Sequence, residues 1–252
     1  MKIEIESCVG CGACAPYCPV EAIRVHKRDK KAQTRAFAEI IYDQCVECAV
    51  CFRANVCPSD SIIKENLEMP RLIRAFFSDP WFSHPGTDIP GRGTEEMKTN
   101  EVTGRIKDGF VGIGLEFGRP GVGCRVKDVE PALEKLAPIG ITLEPENPLT
   151  QIISAENPTK IRDDVRYEKV LSAIVEAVIP MDRCQAVFTA VKELAEEVNT
   201  VFSVGVASKV AADGSYPALE QMKKAGLTAA INGKMNVGLG RPLFEDRQEG
   251  CQ

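Results

Sequence analysis

The chain has 252 residues, 44% apolar and 27% charged, the make-up of an ordinary globular protein rather than a disordered or fibrous one. Its formal net charge of −5 argues against a nucleic-acid binder that works by phosphate neutralisation. No run reaches the roughly 20 apolar residues of a membrane-spanning helix, and residues 1–7, MKIEIES, carry no apolar signal core, so no membrane span and a cytoplasmic location are expected.

Eight of the eleven cysteines lie within the first 57 residues. They form two blocks. The first is Cys8-x2-Cys11-x2-Cys14-x3-Cys18-Pro19, and the second is Cys45-x2-Cys48-x2-Cys51-x5-Cys57-Pro58. The blocks are an internal repeat, because Ser7-Cys-Val-Gly-Cys-Gly-Ala-Cys14 aligns with Gln44-Cys-Val-Glu-Cys-Ala-Val-Cys51. The second copy carries a two-residue insertion before its last cysteine. Without an export signal, tightly spaced cysteines point to metal rather than to disulfides. Zinc sites usually show paired C-x2-C units, whereas triplets followed by a Cys-Pro wrap the corners of an iron–sulfur cubane. In this motif the fourth cysteine ligates the other cluster. One [4Fe–4S] cluster is therefore expected on Cys8, Cys11, Cys14 and Cys57, and a second on Cys45, Cys48, Cys51 and Cys18. Gly10, Gly12 and Ala13 leave room for backbone N–H groups to approach sulfur. Glu47 stands where the first copy has Gly10, so the two sites should differ in charge and hydrogen bonding, both of which tune a cluster's potential.

Residues 1–66 resemble a bacterial-type two-cluster ferredoxin. The resemblance implies a pseudo-twofold fold, two [4Fe–4S] clusters and one-electron traffic at low potential, in an anaerobic setting because exposed low-potential clusters react with oxygen. The five-residue gap between Cys51 and Cys57 departs from that pattern and puts the second cluster's potential in question. Each cluster with its four thiolates adds about −2, so the loaded protein is nearer about −9. Acidic and basic side chains balance within residues 1–84, at 11 of each. That balance is unlike a small free acidic ferredoxin and suggests a module docked on something.

Between the blocks, residues 22–42 read as an extended hairpin with a basic tip, Lys27, Arg28, Lys30 and Lys31. The tip reads either as a solvated loop or as a patch that steers an acidic partner. His26 is expected on the surface. Residues 67–107 are expected to be a linker and packing segment. Within it a short helix should place Leu72, Ile73, Phe76 and Phe77 on the ferredoxin module, and Trp81 and Phe82 should be buried at a domain junction. His84 is read as a loop residue. Residues 86–107 lack an apolar period, and Arg92, Thr94, Glu95, Lys98 and Asn100 could hold a ligand or a partner there.

From residue 108 a second domain is expected, extending to 245. Phe110–Phe117 alternates and reads as a strand, followed by a glycine turn over 118–123. Residues 126–137 read as an amphipathic helix whose first turn is delayed by Pro131. Residues 139–143, 149–155 and 169–179 read as strands, the last with some helical period. Asp182 is placed as the N-cap of a helix reaching about Val198, and 201–207 is a strand. The order β-α-β-β-α-β is that of the split βαβ, or ferredoxin-like, fold, and it resembles an ACT-like module in element order only. A helix over 217–225, a glycine-rich strand over 232–240 and a frayed end over 245–252 complete the chain. Cys184 should pack in its helix, Cys124 is read as exposed, and Cys251 belongs to no motif. The glycines at 112, 114 and 118 do not match a nucleotide fingerprint.

The fold class is thus α+β, a dicluster ferredoxin module plus a βαββαβ domain. The function expected is electron transfer through two [4Fe–4S] clusters to a partner redox enzyme, without catalysis by this chain, as a homodimer or a subunit of a complex. The second domain would dock or sense a small-molecule ligand. Two other readings stand beside it. One is a small cluster-fed reductase with its active site in residues 86–245 and with Arg92, Lys98, Arg119 and Arg125 as anion contacts. The other is a redox- or metabolite-sensing regulatory protein.

Overall fold

The computed structural model describes residues 1–31, 33–88, 90–91, 104–118 and 121–230. Arg92, Thr94, Glu95, Lys98, Asn100, Arg119, Cys251, the glycine-rich strand expected over 232–240 and the end at 245–252 lie outside them.

The amino-terminal part runs β1 (Lys2–Ile3), a 3-10 turn (Ala15–Tyr17), β2 (Ile23–His26), β3 (Phe37–Ile40), α1 (Val50–Arg53) and β4 (Ile62–Ile63). β1 pairs antiparallel with β4, and β2 with β3, so that Ile23 faces Ile40 and His26 faces Phe37. The repeat is written into the backbone. Gly10 and Glu47 share a left-handed conformation (φ 66 and 55), as do Gly12 and Ala49 (φ 75 and 54) and Glu21 and Asp60 (φ 52 and 50). The two-residue insertion replaces the 3-10 turn of the first copy with the α-helical turn α1. The core here is small, and seven of its eleven buried members are cysteines or alanines: Cys8, Cys14, Cys45, Cys51, Ala22, Ala38 and Ala49 beside Met1, Ile3, Ile40 and Ile62.

The rest comprises α2 (Leu72–Ser78), β5 (Phe110–Phe117), β6 (Cys124–Arg125), α3 (Glu130–Leu136), β7 (Thr142–Leu143), β8 (Lys169–Val170), β9 (Ala173–Pro180), α4 (Cys184–Glu197), β10 (Phe202–Ser208) and α5 (Pro217–Lys224). Four strands form one antiparallel sheet in the order β10-β5-β9-β7, and β6 pairs with β8 apart from it. One face of this sheet carries Val111, Ile113, Leu115 and Phe117 of β5, opposite Ile179, Ala177, Val175 and Ala173 of β9. α4 meets that core with Cys184, Val187, Phe188, Val191 and Leu194, the i, i+3, i+4 stripe of an amphipathic helix. α3 adds Ala132, Leu133 and Leu136. Each large side chain so buried contributes about 1.5–3 kcal/mol, and this is the larger of the two cores.

Several expectations need correction. β5 keeps its apolar residues on one face as expected, but its other face is covered as well, so that all of its residues except Phe110 are buried. Residues 149–155 hold a 3-10 turn (Thr150–Ile152) rather than a strand, with only a bridge from Ile153 to Ile161. The strand expected over 169–179 is broken after Val170, where the Leu171 N–H donates to Ser78 Oγ at 2.9 Å instead of to a neighbouring strand. Asp182 makes no cap hydrogen bond; α4 follows a 3-10 turn (Met181–Arg183). Cys124 is buried at 3% exposure, not exposed. Trp81 is the opposite case, 67% exposed with the cations of Arg53 and Lys64 over its ring. His84 is a loop residue but a buried one, edge-on to Phe76. α2 does form, but Ile73 and Phe77 join the core of the sheet domain rather than that of the cysteine-rich module. A stripe of apolar residues shows that a helix is buried on one side. It does not say against which neighbour.

Candidate metal centre

The eight amino-terminal cysteines gather at two cavities. Cys8, Cys11, Cys14 and Cys57 line the first, together with Ile3, Val9, Gly12, Ala38 and Ile62. Cys18, Cys45, Cys48 and Cys51 line the second, together with Met1, Val20, Ile23, Ile40 and Ala49. Each cavity therefore takes three cysteines from one block and the last cysteine of the other. Both cavities open in part to solvent, and each turns four thiols toward one space.

Backbone N–H groups point at the sulfurs. Ala22 N–H reaches Cys18 Sγ at 3.1 Å, and its repeat counterpart Ser61 N–H reaches Cys57 Sγ at 3.3 Å. Gly10 and Ala38 N–H groups reach Cys8 Sγ at 3.4 and 3.3 Å. Gly10 is needed there for a second reason. A Cβ on it would stand 2.5 Å from the backbone of Ala36, so the loop can lie this close to β3 only with glycine. Among the described residues no group of three or more His, Cys, Asp or Glu side chains is arranged to hold a single metal ion. Tetrahedral zinc draws its thiolates to about 2.3 Å from one centre, and these cysteines stand around a cavity instead. The donor set, all thiol with N–H groups aimed at sulfur, fits an iron–sulfur core.

Burial pushes the Cys45 thiol up to about 12, with the Glu47 carboxylate adding to it, and it pushes Cys51 to about 12 as well. Cys14 and Cys48 are also raised, again by burial first. Such thiols keep their protons until a cation displaces them, so loading the cavities releases protons. Cys57 goes the other way: burial raises it, but hydrogen bonds from Ser59 and Ser61 outweigh burial and lower it.

The two cavities differ in what surrounds them. Around the first, Val9 is 58% exposed, and Cys11, Ala13 and Tyr17 are open to solvent. Around the second, the loop is closed, with Val46 at 1%, Glu47 at 2% and Ala49 at 3%. Glu47 is held by the amino group of Met1 and by Arg71, whose guanidinium also meets Glu65 at 2.9 Å. Arg74, on α2, donates to the carbonyls of Tyr42 and Cys45 (2.6 Å for the latter) and pairs with Glu168 of the sheet domain. Arg53, set in the last turn of α1 by the insertion, donates to the Cys48 carbonyl at 2.7 Å and to Asp79 at 2.6 Å. Across the junction, Arg125 meets Asp43 at 2.8 Å and Lys169 Nζ donates to Gln44 at 2.6 Å. The sequence reading assigned no role to Arg53, Arg71 or Arg74. Glu47 in place of a glycine was the one signal that cations would be needed here.

Arg125, expected as an anion contact, is engaged by Asp43 and by the Tyr167 carbonyl. Cys184 is buried in its helix, where burial raises its thiol to about 11. His26 is partly exposed, bonded to Glu39 at 2.8 Å and stacked on Phe37. Among the described residues, no helix is long and apolar enough to cross a membrane.

The 4Fe-4S dicluster domain family matches the chain over residues 7–61. No curated protein and no solved structure matches it. Two cavities of four cysteines, the repeated loop and the family match converge, and residues 7–61 form a 4Fe-4S dicluster domain, which implies two [4Fe–4S] clusters.

Proposed function

We propose that the chain is an electron-transfer protein in which Cys8, Cys11, Cys14 and Cys57 hold one [4Fe–4S] cluster and Cys45, Cys48, Cys51 and Cys18 hold the other. The observation that carries the assignment is the exchange of the fourth cysteine between the two cavities. When bound, such clusters supply one-electron exchange over a wide range of potentials. The chain supplies the rest. Its thiolates bind, and the N–H groups of Gly10, Ala22, Ala38 and Ser61 donate to sulfur, which favours the more negative, reduced state. Ile3, Ile23, Ile40 and Ile62 keep water from the inner walls.

The sheet domain reads as a ferredoxin-like α/β fold. In chain order its sheet strands are β5, β7, β9 and β10, with α3 after the first and α4 after the third, which is the split βαβ plan. Its domain begins with α2, and its role in this reading is to carry the dicluster module onto a redox enzyme. A low-potential donor, an oxygen-poor cytoplasm and a non-catalytic chain belong to the same reading. Anaerobic purification should yield about eight irons and eight labile sulfides per chain. Dithionite should bleach the visible band and produce the EPR signals of two reduced clusters. A protein that takes up two zinc ions and shows no visible absorbance would end the reading.

A further inference from the structure

The hairpin β2–β3 runs from one cavity to the other. Its base, Ile23 and Ile40, lines the second cavity, and Ala38 lines the first. Its tip therefore projects past the first cavity, on the side away from the closed one. Arg24, Lys27, Arg28, Lys30 and Lys31 are exposed along it, and among the described residues none of the five forms an ion pair. Arg35 pins the returning strand to the first cysteine loop by donating to the Glu6 carbonyl at 2.8 Å. Next to these cations lies a small apolar rim of Val9, Tyr17 and Val25, each more than a third exposed. An exposed apolar and aromatic centre bordered by an excess of cations over the tip's one carboxylate, Asp29, is the anatomy of a transient protein interface.

We propose that this face, the hairpin tip with the Val9–Cys11 loop, is the docking surface for an acidic face of the partner redox protein, and that electrons cross the protein boundary at the first cavity. The inference rests on the electron-transfer reading and adds the port and the charge of the partner. The occupant is a protein rather than a nucleic acid or an anionic membrane because Val9, Tyr17 and Val25 offer apolar surface to bury beside the cations, and Val9 also lines the first cavity. One electron passes per encounter: the reduced chain loses it and the acceptor gains it.

The test uses the full-length, cluster-loaded protein and two acceptors of opposite charge, an acidic flavodoxin and a basic cytochrome c. The flavodoxin takes one electron, with a proton from solvent, to its semiquinone; the ferric cytochrome takes one to become ferrous. Stopped-flow mixing of the pre-reduced protein should give a flavodoxin rate that falls as salt rises. Reversing the tip (K27E/R28E/K30E/K31E) should slow it about tenfold or more at low salt while speeding the cytochrome. An equal reversal on the far domain (K192E/K209E/K223E/K224E) should change the flavodoxin rate by less than about twofold. Equal slowing by both variants overturns the proposal, because net charge alone would then be at work. A slowed rate in W81A/K64E with a normal rate in the tip variant moves the port to the Trp81 face and overturns it as well. So does tip-dependent flotation with phosphatidylserine vesicles when flavodoxin exchange is unaffected. Iron content and dithionite reduction of each variant report on the electron-transfer reading by themselves. Clusters that load and reduce while the tip has no effect leave that reading standing and remove only the port.

Discussion

The two halves of the dicluster domain began as copies and have been put to different structural use. The first loop keeps Gly10, a left-handed glycine pressed on the backbone of Ala36, and opens to solvent through Val9 and Cys11. The second loop keeps the same backbone turn but places Glu47 there, and that carboxylate draws in Arg71 and the amino terminus. Arg74 and Arg53 then hold the Cys45 and Cys48 carbonyls from below. A shared left-handed turn is thus compatible with two settings, one exposed and one clamped. What separates them is charge brought from outside the repeat. The two settings differ in burial and in nearby charge, so whatever the two cavities hold should differ in reduction potential.

The largest effects should come from the cysteines, because they test whether the halves exchange their last ligand. Cys57→Ala and Cys8→Ala should each cost about half the iron and remove the same EPR signal. Cys18→Ala and Cys45→Ala should remove the other. If Cys57→Ala instead removes the signal lost in Cys45→Ala, each block binds its own cluster and the cavity assignment is wrong.

Arg74 joins the clamped half to the sheet domain. Arg74→Gln leaves Glu168 and two carbonyls under-satisfied in a mostly buried setting, at a cost of about 3 kcal/mol. It should lower the thermal midpoint and speed chelator-driven loss of the Cys45 cluster well before the Cys8 cluster. Loss of both at one rate would mean the strut serves the whole chain equally. On the open half, Gly10→Ala meets the Ala36 backbone and a left-handed φ, together about 2 kcal/mol. Here the Cys8 cluster should be the one lost first under air, followed by the decay of its EPR signal.

The smallest effect belongs to the junction. Burial holds the His84 imidazole below its usual 6.5. The unfolded chain then takes up a proton near pH 6.5 that the folded chain refuses, so stability is level above that pH and declines as pH falls below it. His84→Gln should flatten the acid side of a melting-temperature profile between pH 7 and 5.5, by at most about 1.4 kcal/mol per pH unit. An unchanged slope would assign the acid sensitivity to other groups.

Much of the site was legible because its determinants are local. Ligand spacing within a loop of seven residues is set by covalent geometry, and Pro19 and Pro58 end each loop wherever the chain goes next. The sheet strands at 110–117, 173–180 and 202–208 and the stripe of α4 were legible for the same reason: periodicity is a property of a short segment. Trp81 misled because an aromatic beside two cations is stable in water, where Arg53 and Lys64 cover its ring. Ser78 interrupted an otherwise uniform apolar run by accepting the Leu171 N–H from 93 residues away, and no local pattern carries that.

The sequence by itself determined that eight thiols stand in two copies of one loop, and that a basic tip separates them. Only the tertiary structure decided which copy lies open and which is closed. The reason is physical: a loop's spacing is dictated by bonds a few residues long, whereas its exposure depends on which distant surface packs over it. Here that surface came with α2, Arg71 and Arg74, which settled on the second copy and left the first to solvent.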